Sequence, residues 1–374
     1  MTGGDDNTLI YRMAFAAVRG MGIELAHRML DVIPDEKAFF DLGERELQKL
    51  TGARNKILER SYRNSLLDKA QRELDFVRRN NIKLLYFSDA EFPQRLLHAT
   101  DAPILLYSTG KCDLNANHVV SIVGTRRSTP YGSKMCDRLV HDLVEAIPGV
   151  IIVSGLAYGT DINAHRAAIK HGTPTVAVQA CGLNKIYPSP HRRDAAEIVH
   201  RGGMIVSDYM SQDEIHRGNF LARNRIIAAL ADCTVIIESA DHGGSLVTAS
   251  IAQSYDRDVF AIPGRVGDEY SAGTNRIIMQ NNAALITGAD DLLRSMRWES
   301  EKKPAEAKQL QIFPELTPRE QAIVDLLKAS DNSLHINDIS QTLQQPMYKL
   351  MSSLVDLDMK GVVMTLPGCR YTLK

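Results

Sequence analysis

The 374-residue sequence predicts an α/β protein: an extended Rossmann-like parallel sheet with helices on both faces, flanked by an N-terminal helical domain and a C-terminal winged-helix domain. Three observations carry that expectation. Short apolar runs between residues 118 and about 290 alternate with stretches of helical periodicity, the signature of repeated βαβ units. Most of the runs end in Gly, Ser or Asp, as strands that turn into loops do. A charged, proline-containing stretch, residues 296–315, then separates this region from a last segment with its own three-helix pattern.

In order along the chain, residues 1–80 read as a domain of short helices. Within it, AAVRGMGIELAHRML has the form of a helix-hairpin-helix (SAM-like) unit, Gly20 and Gly22 making a tight turn before an amphipathic helix. Two readings stay open: the turn offers backbone N–H groups to a phosphate, or the region is a small helical packing domain. Residues 81–295 hold the runs HVVSIVG, GVIIVSG, TPTVAVQA, GMIVSD, CTVIIES, DVFAIPG and AALIT. Ligands in such sheets bind beyond the carboxyl ends of the strands. Those ends are VGTRR, SGLAYGTD, ACGLNK, ESADHGGS and IPGRVGD. Residues 316–374 give three helices and a Pro-Gly hairpin, a winged-helix pattern. Six Lys/Arg balance six Asp/Glu in that segment, so charge leaves duplex binding, protein contact and a structural role all open.

Composition narrows the function. With 44% hydrophobic and 24% charged residues the chain fits a globular protein. A net charge of −1 means that any nucleic-acid binding must rest on a local basic patch. The 5 cysteines are scattered, with no C-x-x-C pair, which argues against a disulfide framework or structural zinc and for a reducing compartment. The first residues lack the layout of a signal peptide, and no apolar run approaches the roughly 18 residues of a membrane span. A cytoplasmic protein without membrane attachment is expected.

Signatures of nucleotide enzymes are missing. No G-x-G-x-x-G follows the first strand, no G-x-x-x-x-G-K-[ST] occurs, and no zinc-deaminase or H-E-x-x-H pattern is present. No cofactor, metal site or catalytic residue is therefore expected. What remains is a set of anion-binding loops: Gly124, Thr125 and Arg126 at one strand end, Gly155 and Gly159 at a second, and Gly243, Gly244 and Ser245 before a helix. Asp161 stands where an N-cap belongs. The segment HRGNFLARNRIIAALAD brings Arg217, Phe220, Arg223 and Arg225 together at the start of a helix whose apolar positions are Leu221, Ile226, Ile227 and Leu230. Phe220 with neighbouring arginines would make a platform for a single strand, the ring stacking on a base and guanidinium groups taking phosphate. Periodicity alone favours the opposite reading, a core phenylalanine with solvated arginines. His165, His191 and Cys181 have no partner at catalytic spacing and read as bystanders.

The motifs IVGTRRSTPYG, VSGLAYGTDINAH, IYPSPH, GGMIVSDY, NFLARNRIIAALAD, GGSLVTA and VFAIPG, in this order, resemble those of the DNA-processing (DprA/Smf) family. The resemblance is dense over about residues 80–290 and looser on either side. It implies an extended Rossmann fold, a homodimer, binding of incoming single-stranded DNA, and delivery of that strand to the RecA recombinase during natural transformation (competence) and recombination. Carried over by position, it implies nucleic-acid contacts at Gly124, Thr125, Arg126, Gly155, Lys185, Arg217, Phe220, Arg223, Asn224, Arg225, Gly244 and Ser245. Thr160, Asp208 and Gly243 depart from the residues usual in the family.

Two other readings compete. One is a Rossmann-like nucleotide hydrolase of the lysine-decarboxylase-like group. GGSLVTASIA lacks that group's P-G-G-x-G-T and the glutamate that follows it, so a general base is missing. The other is a pure interaction protein, against which Arg126, Arg217 and Phe220 weigh.

Overall fold

The computed structural model describes residues 3–52, 56–298, 316–330, 333–366 and 368–373. The chain divides into two compact units, residues 1–302 and 303–374. Of the stretch expected to be a linker, residues 299–315 lie outside the described residues, as does Pro367 of the expected Pro-Gly hairpin.

The first unit opens with α1 (Gly3–Ala16), α2 (Ile23–Leu30), α3 (Glu36–Asp41), α4 (Glu44–Thr51) and α5 (Arg60–Arg79). Leu66, Ala70, Leu74 and Val77 of α5 recur every three or four residues and are all buried, the stripe that fixes an amphipathic helix on its core. Buried Arg63 ties these helices together, donating to the carbonyls of Leu58 at 3.0 Å, Phe40 at 2.9 Å and Leu42 at 2.9 Å. Gly20, at φ +78°, makes the turn before α2. The N–H groups of Ile23 and Glu24, however, already donate to Ala102 O at 3.2 Å and Thr100 O at 3.4 Å. These donors of the expected phosphate-binding hairpin are spent inside the fold, which favours the packing reading.

A nine-stranded sheet follows. Its strands are β1 (Lys83–Tyr86), β2 (Leu105–Gly110), β3 (Val119–Val123), β4 (Ile151–Ser154), β5 (Thr175–Val178), β6 (Met204–Ser207), β7 (Cys233–Ile236), β8 (Asp258–Ala261) and β9 (Ala284–Leu285). In spatial order they run β1-β2-β6-β5-β4-β3-β7-β8-β9. Seven are parallel; β2 joins β6 antiparallel, and β1 joins β2 antiparallel. β1 and β2 extend the parallel sheet expected from sequence.

Between the strands lie α6 (Pro130–Ala146), α7 (Thr160–His171), α8 (Arg192–His200), α9 (Arg217–Leu230), α10 (Gly244–Ser254), α11 (Ala272–Met279) and α12 (Ala289–Met296). Side-chain alternation assigns the faces. Val120, Ile122 and Ile152 pack with Leu139 and Leu143 of α6, Ala164 of α7 and Leu292 of α12. Val119, Val123, Ile151 and Val153 pack with Ile226 of α9, Ala249 of α10, Ile277 of α11 and the N-terminal helices. With both faces covered, β3 to β7 are buried along their whole length rather than on alternate residues. Trp298 packs edge-on against His118, centroids 4.7 Å apart, so the unit's ordered packing runs beyond the boundary at residue 295 expected from sequence.

The second unit contains α13 (Pro318–Lys328), β10 (Leu334–His335), α14 (Ile336–Leu343), α15 (Met347–Met359), β11 (Val363–Leu366) and β12 (Arg370–Leu373). Thr317 and Glu320 form a reciprocal capping box at the start of α13. Ile323, Ile339, Leu350, Leu354 and Leu357 fill the core against Val363 of the hairpin. This is the winged-helix arrangement expected from the sequence.

Candidate nucleic-acid interface

Chain direction from β3 leads through α6 to β4 on one side, while β7 returns to pair with β3 on the other and leads outward to β8. The switch point of the sheet therefore lies between the carboxyl ends of β3 and β7, where open α/β sheets bind their ligands. A cleft of about 320 Å³ opens there. Thr125 and Arg126 line one wall, Phe220, Leu221 and Asn224 of α9 another, and Gly243, Gly244 and Ser245 at the start of α10 a third.

Arg126 and Phe220 meet across this cleft, the guanidinium carbon 5.5 Å from the ring centroid, within cation–π range. Tyr187 stands on the ring's neighbouring side, centroids 5.2 Å apart and planes at 54°. Phe220 and Arg126 also border a smaller recess lined by Tyr158, Tyr187, Pro188 and Gly155. Arg126, Arg127, Lys185 and Arg217 are all exposed, and among the described residues none of the four makes an ion pair. Unpaired cations beside exposed aromatic rings are the elements of a single-strand platform. Lys185 and Arg217 lie outside the cleft lining, on the loop after β5 and at the first residue of α9.

The R-N-R segment divides. Arg223 is 4% exposed, and its Nη1 donates to Val178 O at 2.5 Å and to Gly155 O. Burial lowers its pKa, with Asp161 opposing the shift. Arg225 donates to Asp208 at 2.7 Å and to the carbonyl of Asp101. Both arginines, expected to face phosphate, thus brace the fold, and Asn224 between them lines the cleft. Leu221, expected on the buried face of the helix, is 53% exposed and borders the cleft.

The glycines divide in the same way. A Cβ on Gly155 would lie 2.0 Å from Arg223 Nη1, and one on Gly124 would lie 2.4 Å from Thr160 Oγ1. Internal packing explains both, in place of the close phosphate approach expected of them. Gly244 has open space around it. It lies at the start of α10, which no side chain caps, so N–H groups there are available to an anion. The Ser245 hydroxyl is engaged inwards, donating to Ser239 Oγ at 2.9 Å. Gly243 could not be serine without moving Ser239, whose Oγ lies 2.2 Å from the Cβ position.

The acids near the cleft are occupied. Asp161 is not the N-cap of α7, a position held by Gly159; it accepts from Ala157 N at 3.3 Å in the first turn. Burial raises its pKa, against the attraction of Arg223. Burial likewise raises the pKa of Asp208, against Arg225. Buried Glu238 accepts from Thr129 N at 2.9 Å and Thr129 Oγ1 at 2.5 Å, securing the start of α6. His165 Nδ1 meets Thr175 Oγ1 at 2.8 Å, and burial pushes its pKa down to about 3. His191 Nδ1 meets Leu156 O at 2.7 Å. Among the described residues, no group of three or more His, Cys, Asp or Glu is placed to hold a metal ion, and no helix is long and apolar enough to cross a membrane.

Sequence reasoning missed Tyr158 and Tyr187. The only signal for Tyr187 was its place in IYPSPH, at a strand-end turn, without a periodic pattern to expose its role.

Comparison with known proteins agrees with this architecture. Residues 83–297 match the family described as "DNA recombination-mediator protein A", and residues 303–369 match the "DprA winged helix domain". The chain is 32% identical over 296 residues to "Protein Smf" of Escherichia coli K12, covering 75% of each. It is 33% identical over 250 residues to "DNA processing protein DprA" of Streptococcus pneumoniae R6, covering 66% of this chain and 85% of that one. The crystal structure of DprA from S. pneumoniae superposes with a TM-score of 0.61 at 28% identity, over 77% of this chain and 97% of that one. A DprA structure from Helicobacter pylori, described for its single-stranded DNA binding mode, gives a TM-score of 0.51 at 31% identity over 57% and 96%. With its Rossmann-like and winged-helix regions both matched, this chain belongs to the DNA-processing (DprA/Smf) family.

Proposed function

We propose that this protein binds single-stranded DNA at the cleft between β3 and β7 and acts by holding the strand rather than by chemistry. The observation that carries the reading is the pairing of Arg126 with Phe220 at the switch point of the sheet. A base stacks on Phe220 or Tyr187, Arg126 and Arg217 take phosphates, and the start of α10 offers N–H groups to a further phosphate. Lys185 widens the positive margin. The binding is electrostatic and tolerant of sequence, because a ring stacks on every base alike.

The engaged state of Glu238, Asp161 and Asp208 supports binding over hydrolysis, since each carboxylate already accepts a bond within the fold. In the cell, by its family, the protein would take up strands entering by natural transformation, deliver them to the RecA recombinase as a homodimer, and do so in the cytoplasm. Fluorescence anisotropy with labelled poly-dT and a matched duplex tests the binding. Wild type should prefer the single strand, and Arg126→Ala/Arg217→Ala should lose it with the fold intact. A double variant equal to wild type would move the site elsewhere.

A further inference from the structure

The helical N-terminal region has no part in the strand-binding reading, yet one face of α5 is bonded to the loop that leads into α9. Ser211, Gln212 and Asp213, consecutive in that loop, each meet α5. The buried Glu73 carboxylate accepts from Ser211 N at 2.8 Å and from Ser211 Oγ at 2.5 Å. Arg72 Nε donates to Gln212 Oε1 at 3.0 Å, and Gln212 Nε2 donates to Lys69 O at 3.3 Å. Lys69 pairs with Asp213, whose other oxygen accepts from Met210 N at 2.7 Å. Lys69, Arg72 and Glu73 stand at i, i+3 and i+4, so one helix face makes all of these bonds.

The strand site hangs on this loop. Arg217 and Phe220 lie in the first turn of α9, just after it. No side chain caps that turn, and it contains Gly218, which has open space around it. An uncapped first turn with a glycine frays unless something outside it holds it. The loop that carries Lys185 and Tyr187 rests on the same segment: a Cβ on Gly182 would lie 2.3 Å from Met210 O and 2.6 Å from Ser211 Cα. Asn219 joins the two loops, its Nδ2 reaching Glu214 O at 3.1 Å and Ala180 O at 3.4 Å. We infer that Glu73, with Lys69 beside it, is a positioning residue for the strand site. It holds residues 210–213 and thereby sets Arg217 and Phe220 beside the cleft. The inference rests on the strand-binding reading. A carboxylate repels a phosphate backbone, so a favourable effect of Glu73 on strand affinity runs opposite to its charge and comes through geometry.

The test measures poly-dT affinity of the full chain by fluorescence anisotropy over a salt series, with thermal melting of each variant to check the fold. Glu73→Ala should bind about fourfold more weakly at roughly 0.15 M salt and flatten the slope of log K against log salt by about 0.7, the share of one phosphate, although it removes a negative charge. Glu73→Gln keeps both contacts, its amide oxygen taking the Ser211 N–H and its amide nitrogen donating to the Ser211 hydroxyl. It should stay within about twofold of wild type. Lys69→Met/Ser211→Ala releases the loop while leaving the buried carboxylate and the core face of α5 in place, so it carries the test if Glu73→Ala does not fold. Its loss should be of similar size. Combined with Arg217→Ala, either loss should be strongly sub-additive, which a general weakening of the fold would not produce. Folded clamp variants that bind as tightly as wild type, or losses that add fully to that of Arg217→Ala, would overturn the assignment. Arg217→Ala with wild-type affinity would instead overturn the strand-site reading beneath it, so the two failures are distinguishable.

Discussion

Replacing Gly155 by alanine would place a Cβ 2.0 Å from Arg223 Nη1, a separation that no relaxation of a methyl group can accommodate. The guanidinium is buried and held by the carbonyls of Gly155 and Val178, so it cannot swing into water without leaving both acceptors. Overpacking a core costs about 1–3 kcal/mol, and depriving a buried charge of its partners costs about 3–5 kcal/mol. Partial adjustment of α9 brings the total to about 3 kcal/mol, which for a unit of this size lowers Tm by roughly 6–12 °C. Thermal melting of wild type, Gly155→Ala, Arg223→Met and the double variant measures it. The two single losses should be strongly sub-additive, because removal of the guanidinium also removes the clash. If Gly155 is instead glycine so that phosphate can approach, Gly155→Ala will lose strand affinity while Tm stays within about 2 °C, and the packing account of this residue fails.

Other outcomes follow from the same geometry. Phe220→Ala should weaken poly-dT binding by about 1–3 kcal/mol, and Tyr187→Ala should weaken it in the same direction; titrations showing no loss for either would remove the stacking platform. Arg126→Ala should flatten the slope of log K against log salt by about 0.7, the contribution of one phosphate on a single strand; an unchanged slope would take Arg126 off the backbone. His165 is buried with its pKa held near 3 by desolvation, so the unfolded chain binds its proton first as pH falls below the ordinary value near 6.5. The folded state should then lose about 2 kcal/mol between pH 6.5 and 5. Urea melts of His165→Asn should lack that part of the pH dependence, and identical profiles would contradict it. Glu320 is held down to about 2 by its bond to Lys360 and the Thr317 N–H. Its contribution to α13 is present above the unfolded value and lost as pH falls from about 4 towards 2; hydrogen exchange of α13 amides in Glu320→Gln should no longer change across that window.

Much of the fold could be read from sequence because parallel strands covered on both faces leave continuous apolar runs, and each run from residue 118 to 287 overlaps a strand. β1 and β2 escaped notice because they add antiparallel, joined by an 18-residue connection that contains only a short 3₁₀ turn at Gln94–His98, so no βα alternation marks them. Arg126 and Phe220 were legible as charge and ring at a strand end and a helix start. Arg223 was misjudged, although the signal was present. It precedes the buried Ile226, Ile227 and Leu230 by three, four and seven residues and so shares their face. Leu221 lies off that face for the same reason. The tyrosines depended on loops meeting in space, Tyr158 from the end of β4 and Tyr187 from the end of β5, which periodicity does not encode.

The central claim concerns place: a single strand lies in the cleft at the switch point of the sheet. Photo-crosslinking of poly-dT carrying 5-iodouracil to the wild-type chain, followed by peptide mapping, tests it most directly. The account predicts adducts on the peptides bearing Phe220 or Tyr187, lost in the corresponding alanine variants. Adducts confined to the turn at Gly20–Gly22 or to α15, with none on those two peptides, would contradict it.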